Sequence, residues 1–250
     1  MASFPWRRGL QALVTRPHEE AVTLTAALAA RGIGTLIEPM LDIQFRSAAA
    51  SDLFGVQAVL CTSGNGVRAL ARASAERLVP LFAVGDATAA RARDEGFATV
   101  ASAGGDVGDL VRLVSERLEP RAGKLLHACG TAVAGDLVGR LRAQGFTAER
   151  LELYEARAAT ALSGPAADAL RCGDLDIALF FSPRTAAIFV GLASDAGLDR
   201  SCATVMALSI SAAVDEAVAI LTWRERLVAA RPSQAALLDA LDARLASRPI

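Results

Sequence analysis

The chain has 250 residues, 53% hydrophobic and 21% charged, with a formal net charge of −1. That is long enough to bury a sizeable core and too apolar for a disordered chain. The near-neutral balance gives no electrostatic footprint for nucleic acid, and no apolar run approaches the roughly 20 residues of a membrane span.

Met1–Arg8 holds two arginines, Arg7 and Arg8, but no apolar stretch follows. The expectation is therefore no secretory signal and a cytoplasmic location. The cysteines Cys61, Cys129, Cys172 and Cys202 lie too far apart for a metal knuckle or a CxxC pair. They read as small buried residues in a reducing compartment.

Short apolar runs alternate with stretches of helical period. Leu10–Thr15 is expected as a strand, Glu19–Ala30 as a helix ending at Gly32, and Thr35–Leu41 as a strand. Ala58–Thr62, a helix to about Ser74, Leu81–Val84 and a helix over Ala87–Glu95 follow. Thr99–Ser102 is short, and Asp106 can cap a helix running to Arg117. Next come strand Lys124–Cys129, helix Ala132–Gln144 and strand Ala148–Tyr154. Later strands are expected at Ile177–Phe181, Ala203–Leu208 and Ile220–Arg224, with a last helix over Gln234–Ala246. Such alternation implies parallel sheets covered by helices. Gln44–Ser51 and Ala156–Gly164 are small and polar and read as linkers.

The chain also repeats itself. AVLCTSGNGVRALARA at Ala58 resembles ALFFSPRTAAIFVGLA at Ala178, and LFAVGDATAARA at Leu81 resembles TVMALSISAAVDEA at Thr204. Leu13–Leu41 matches Leu126–Tyr154, but in a different order. The expectation is an α/β protein of two similar doubly wound parallel-sheet domains, flavodoxin-like and permuted. One is discontinuous, 1–41 plus 161–250; the other, 42–156, is inserted. Two crossing linkers would join them, with a cleft between.

In open parallel sheets, ligands bind beyond the carboxyl ends of the strands. The turns there are Thr15-Arg16-Pro17, Ser63-Gly64-Asn65-Gly66, Gly85-Asp86-Ala87-Thr88, Gly130-Thr131, Ser182-Pro183-Arg184-Thr185 and Ser209-Ile210-Ser211. Each mixes small residues with hydroxyls just before a helix, where free N–H groups favour anions. One such turn alone is better explained as ordinary capping. Their recurrence in matching lobes favours a ligand with several carboxylates. Arg16 and Arg184 are the cations among them, and Arg16, before a proline at a helix start, reads equally well as a solvated surface residue. There is no GxGxxG, no Walker A and no metal-ligand spacing. His18 and His127 read as structural. Tyr154, the single tyrosine, ends a strand beside a linker; it fits a core residue and a cleft hydroxyl equally well.

Together, LVTRP before a helix, CTSGNGVRAL, FAVGDATAA, the strand ending LYEAR and the FFSPRTA turn resemble uroporphyrinogen-III synthases from Leu10 to about Leu241. The resemblance implies a cyclising hydro-lyase without cofactor or metal. Its substrate would be hydroxymethylbilane, a linear tetrapyrrole with eight carboxylates, closed to uroporphyrinogen III with inversion of the last ring, on the route to haem, sirohaem and corrins. It implies a cytoplasmic monomer, in transient contact with the preceding pathway enzyme. Tyr154 matches the family's cleft tyrosine and Thr88 the threonine of its VGxAT turn. Thr15, Arg16, Ser63, Gly64, Asn65, Gly85, Gly130, Ser182, Arg184, Thr185 and Ser211 would bind substrate. Two departures stand out. The turn often reading GPTTA is here Ser209–Ala213, with Ser211 the nearest hydroxyl, and Cys129-Gly130-Thr131 lacks the arginine often found in relatives. Two other classes share the pattern: a non-catalytic tetrapyrrole-binding module of the same fold, and a hinged small-ligand binding protein.

Overall fold

The computed structural model describes residues 9–46, 53–133 and 135–247. The chain divides into two compact units, Met1–Asp42 with Ala158–Ile250, and Ile43–Arg157.

The first unit opens with β1 (Gln11–Val14), α1 (His18–Ala29) and β2 (Gly34–Ile37). Gly32, at φ +70°, ends α1 in the left-handed conformation that glycine adopts without a Cβ penalty. The second unit runs through β3 (Leu41–Phe45), β4 (Val56–Cys61), α2 (Gly64–Ala73), β5 (Leu81–Ala83), α3 (Asp86–Asp94) and β6 (Val100–Ser102). It continues with α4 (Val107–Arg117), β7 (Lys124–Gly130), α5 (Leu137–Ala143) and β8 (Ala148–Ala158). The chain then completes the first unit with α6 (Gly164–Arg171), β9 (Ile177–Phe180), α7 (Pro183–Asp195), α8 (Asp199–Cys202), β10 (Met206–Ser209), α9 (Ala212–Val218), β11 (Glu225–Val228) and α10 (Gln234–Ala246).

The sheet of the first unit has the order β11-β10-β9-β1-β2, and that of the second β3-β8-β7-β4-β5-β6. Counted from β1 and from β7, both follow the doubly wound order 2-1-3-4-5, with β3 added outside β8. The β7–α5–β8 segment thus holds in its unit the place that β1–α1–β2 holds in the other, although it comes last. This is the permutation read from the repeats. The strand order reverses between β1 and β9, and between β7 and β4. At that point neighbouring turns diverge and leave a crevice.

Burial explains the strand sequences. Every residue of β9 and β10 is buried, as expected where helices cover both faces of a parallel sheet. Phe180 meets Phe189 and Trp223 edge-on, at 5.3 and 5.7 Å between centroids, and the Trp223 Nε1–H donates to the Val218 carbonyl at 2.8 Å. In the second unit β4 alternates: Val59 and Cys61 enter one core layer, Ala58 and Leu60 the other.

Several elements differ from the sequence expectation. Thr35–Leu41 is not one strand: β2 ends at Ile37 and Leu41 starts β3 in the other sheet. Pro39, with no N–H, interrupts the ladder. Ile220–Arg224 is not a strand either. Ile220 is exposed, Trp223 plugs the core, and pairing with β10 begins only at Met206↔Glu225. The helix expected from Ala132 starts at Leu137, where the Asp136 carboxylate accepts from Gly139 N at 2.8 Å. The linker expected at Ala156–Gly164 begins as the end of β8 and closes on Glu38, whose buried carboxylate accepts from Ser163 N and Oγ at 2.7 and 2.6 Å. In Gln44–Ser51, Gln44 and Phe45 belong to β3, and residues 47–51 lie outside the described residues. Cys172 is exposed, whereas Cys61, Cys129 and Cys202 are buried.

Candidate functional site

In the second unit the turn after β4 becomes the start of α2. Ser63 is the N-cap, its Oγ accepting from Gly66 N at 3.1 Å. Gly66 has no side chain for a reason of packing: a Cβ there would stand 2.4 Å from the Ala128 carbonyl oxygen, so α2 lies directly on β7. Asn65 Oδ1 accepts from the buried Arg68 guanidinium, which fixes the first turn of the helix.

The Ser63 oxygen also meets the Tyr154 hydroxyl at 3.0 Å. Tyr154 is 9% exposed, and its ring lies over Gly130, where a Cβ would approach Cε2 and Cζ at 2.9 and 3.0 Å. A register shift delivers the tyrosine there. Cys129 pairs with Glu152, but Gly130 pairs with Tyr154, so β8 bulges by one residue. The Thr131 N–H then donates to the Tyr154 carbonyl at 3.0 Å. Ser63, Gly130 and Tyr154 thus meet at the β7/β4 switch of the strand order, a buried residue and a hydroxyl pair at once.

An arginine from the neighbouring strand does reach the Cys129-Gly130-Thr131 turn. Arg150, on β8, donates to the carbonyls of Gly130 and Thr131 at 3.2 and 2.9 Å. Burial pushes the pKa of the Cys129 thiol up, and the nearby Arg150 pulls it back down. Beside it the buried His127 Nε2 lies 3.1 Å from Thr62 Oγ1. Desolvation, then the charge of Arg150, lowers the His127 pKa to about 4, so the ring is neutral at pH 7.

The turn after β5 is more open. Gly85 is the N-cap of α3 at φ −155°, with no side-chain cap, and nothing stands within 4 Å of a Cβ built on it. Thr88, in the first turn, is buried, and no hydrogen bond joins it to Tyr154 or Ser63. Asp86 accepts from Ser102 Oγ at 2.7 Å.

In the first unit, capping consumes several predicted hydroxyls. Thr15 is fully buried and donates to the Leu179 carbonyl at 2.8 Å, tying β1 to β9. Ser182 caps α7 through Thr185 N at 3.1 Å, and the Thr185 hydroxyl, itself buried, returns to the Ser182 carbonyl at 3.0 Å. Arg184 is exposed. Ser211 is the N-cap of α9 without a side-chain cap, and the fully buried Ser209 Oγ just before it has no partner among the described residues. Arg16 is half-buried, its guanidinium 3.9 Å from the Phe181 ring centroid and its Nη1 donating to Gln234 Oε1 at 3.1 Å; it is not a solvated surface residue.

The family whose model is described as HEM4, uroporphyrinogen-III synthase HemD, matches residues 22–239. The chain belongs to the uroporphyrinogen-III synthase family. Solved structures agree on the fold. A uroporphyrinogen-III synthetase from Helicobacter pylori superposes with a TM-score of 0.57 at 17% identity, covering 94% of this chain and 99% of that one. A mutant uroporphyrinogen III synthase from Thermus thermophilus gives 0.56 at 18%, covering 96% and 100%. No curated protein sequence matches. As a family member this chain is a lyase-type enzyme of tetrapyrrole synthesis, and among the described residues no helix is long and apolar enough to cross a membrane.

Sequence reasoning missed Arg150, Phe181, Gln234 and the Ser63–Tyr154 contact. The family-like FFSPRTA turn contains Phe181, but nothing in the sequence pairs it with Arg16. The bulge that brings Tyr154 to Gly130 leaves no sequence mark.

Proposed function

We propose that this uroporphyrinogen-III synthase closes hydroxymethylbilane with Tyr154 as the proton donor to the departing hydroxyl. The observation that carries this is the Ser63–Tyr154 contact over Gly130. Ser63 Oγ accepts from Gly66 N and keeps its own proton and one further acceptor site, so either hydroxyl of the pair can donate to the other. The contact fixes the phenolic hydroxyl at the switch in strand order, as a proton donor for a ligand bound there. Such a donor suits a reaction in which the substrate does the rest. The pyrrole nitrogen expels the protonated hydroxyl as water and forms an azafulvene. The substituted carbon of the last ring attacks it, and the resulting spiro-pyrrolenine fragments and recloses with that ring inverted. Loss of the final proton restores the pyrrole, and the phenolate can take it.

The remaining task is to hold the chain so that direct closure is excluded, which is orientation work. Backbone amides of the Ser63–Gly66, Gly85–Thr88, Ser182–Thr185 and Ser211 turns grip the carboxylates, apart from Gly66 N and Thr185 N, which serve the caps, while Gly130 lets the ligand approach and Thr131 N stays with the Tyr154 carbonyl. Thr88 adds a hydroxyl near the reacting end. Thr15, with its hydroxyl committed to Leu179, contributes its backbone only. The enzyme works in the cytoplasm as a monomer, without metal or cofactor, and takes its substrate from the preceding pathway enzyme by transient contact.

Single-turnover kinetics with freshly made hydroxymethylbilane test the role. Tyr154→Phe should slow ring closure roughly 10- to 1,000-fold, the range of a proton-transfer or single hydrogen-bond contribution, while product binding stays within about three-fold. Unchanged turnover in a folded Tyr154→Phe variant would remove the tyrosine from the mechanism.

A further inference from the structure

The buried imidazole of His127 stands in a layer that otherwise takes apolar side chains. His127 lies opposite Leu60 in the β4–β7 ladder, and Leu60 packs in one core layer with Leu110, Leu137 and Leu141. A leucine would suit that face equally well, so packing alone does not call for an imidazole there. Among the described residues the ring has one hydrogen-bond partner, the Thr62 hydroxyl, 3.1 Å from Nε2. Side chains of a strand alternate between faces, so Thr62 falls on the face of Leu60, one step toward the carboxyl end. The pairing of β4 has ended by then. Its last partners, Ala83 on β5 and Ala128 on β7, both stand opposite Cys61.

Thr62 is half-buried and directly precedes Ser63, whose Oγ meets the Tyr154 hydroxyl at 3.0 Å. Both members of this pair are anchored on β7. The Tyr154 carbonyl accepts from Thr131 N at 3.0 Å, and its ring lies over Gly130. On the serine side the anchor is the bond from Thr62 to His127, three residues before Gly130 on the same strand. One strand, buried over most of its length, thus sets how far apart the two hydroxyl-bearing segments stand. The ring is neutral at pH 7, because burial and then the charge of Arg150 disfavour its cation. A neutral imidazole has one N–H and one lone pair. Nε2 therefore either donates to Thr62 Oγ1 or accepts from it, and the bond forms in both tautomers.

We propose that His127 is a positioning residue for ring closure: through Thr62 it sets the place of Ser63, and through Ser63 that of the Tyr154 hydroxyl. This rests on the proton-donor reading of Tyr154 above and adds the group that aligns the donor from behind. At 3% exposure His127 acts only through its neighbours.

The test is single-turnover closure of hydroxymethylbilane and titration of uroporphyrinogen III, both on the full chain, with melting curves to confirm folding. His127→Leu should slow closure about 5- to 50-fold, since small misplacements of a reacting group are costly in rate, and leave product affinity within about three-fold. Thr62→Val keeps the side-chain shape and removes the hydroxyl. It should give the same loss, and the double variant no more than either change alone. His127→Gln should return the rate to within about three-fold of wild type, because the glutamine amide can hold the Thr62 hydroxyl. In a Tyr154→Phe background, His127→Leu should add less than about two-fold. Closure within about two-fold of wild type in folded His127→Leu or Thr62→Val would overturn the proposal. So would a loss in His127→Gln equal to that in His127→Leu, or a His127→Leu effect undiminished by Tyr154→Phe. Either would mark a histidine that only supports the fold. Failure of the underlying reading looks different, and the proposal would fall with it. Tyr154→Phe would then close the ring at the wild-type rate, or the wild-type chain would form no uroporphyrinogen III.

Discussion

At the scale of single residues, glycines report most sharply on whether the backbone grips the ligand. Gly85 sits at φ −155°, an extended conformation that any residue adopts, and a Cβ there meets no protein atom within 4 Å. Gly85→Val should therefore leave the melting temperature nearly unchanged. If carboxylates approach the first amides of α3, it should still weaken uroporphyrinogen III binding clearly more than Thr88→Ala. The latter removes one hydroxyl, worth about 0.5–1.5 kcal/mol. Titrations in which Thr88→Ala abolishes binding and Gly85→Val leaves it intact would assign recognition to side chains. Gly130 makes a different test. Its Cβ would press the buried Tyr154 ring at 2.9–3.0 Å and the Tyr154 carbonyl at 3.3 Å. Gly130→Ala should cost about 1–3 kcal/mol in denaturant unfolding, the range for overpacking, and lower turnover by moving the phenol off Ser63. Turnover and stability both equal to wild type would show that the ring has room the structure does not give it.

At the scale of elements, β7 carries both packing and titration. His127 has a pKa of about 4 in the folded chain against 6.5 for a free imidazole. Between those values the unfolded chain binds more protons, so stability rises with pH through that window. The contribution is fully present above pH 6.5 and is lost as pH falls toward 4, on the order of 3 kcal/mol in total. Denaturant midpoints at pH 5 and pH 7.5 should differ in wild type, and the difference should shrink in His127→Gln. An unchanged difference would place the acid sensitivity elsewhere. The sequence made the β–α alternation and the hydroxyl-bearing turns legible because hydrophobic period and N-cap chemistry are local. It left out whatever depends on strand neighbours. Arg150 reaches the Gly130–Thr131 turn only because β8 lies beside β7, and Phe181 meets Arg16 only because β9 lies beside β1. The apolar Ile220 drew the last strand to begin there rather than at Glu225, since a period-2 pattern does not say which residue first finds a partner.

At the scale of the molecule, the permuted repeat predicts a ligand whose contacts are spread over many turns. Saturating uroporphyrinogen III should then raise the melting temperature, by about 2.7 kcal/mol of added stability at a hundred times Kd. A melting curve unmoved at that concentration would mean the product does not bind the native chain. The chemistry assigns electron supply to the pyrroles, so turnover should survive exhaustive treatment with a chelator; activity lost to the chelator and restored by one metal would reveal a site the mechanism lacks. The most direct measurement is the isomer made. Hydroxymethylbilane incubated with the protein should be consumed faster than it closes alone and should give uroporphyrinogen III in large excess over isomer I. Isomer I alone, formed at the uncatalysed rate, would contradict the account.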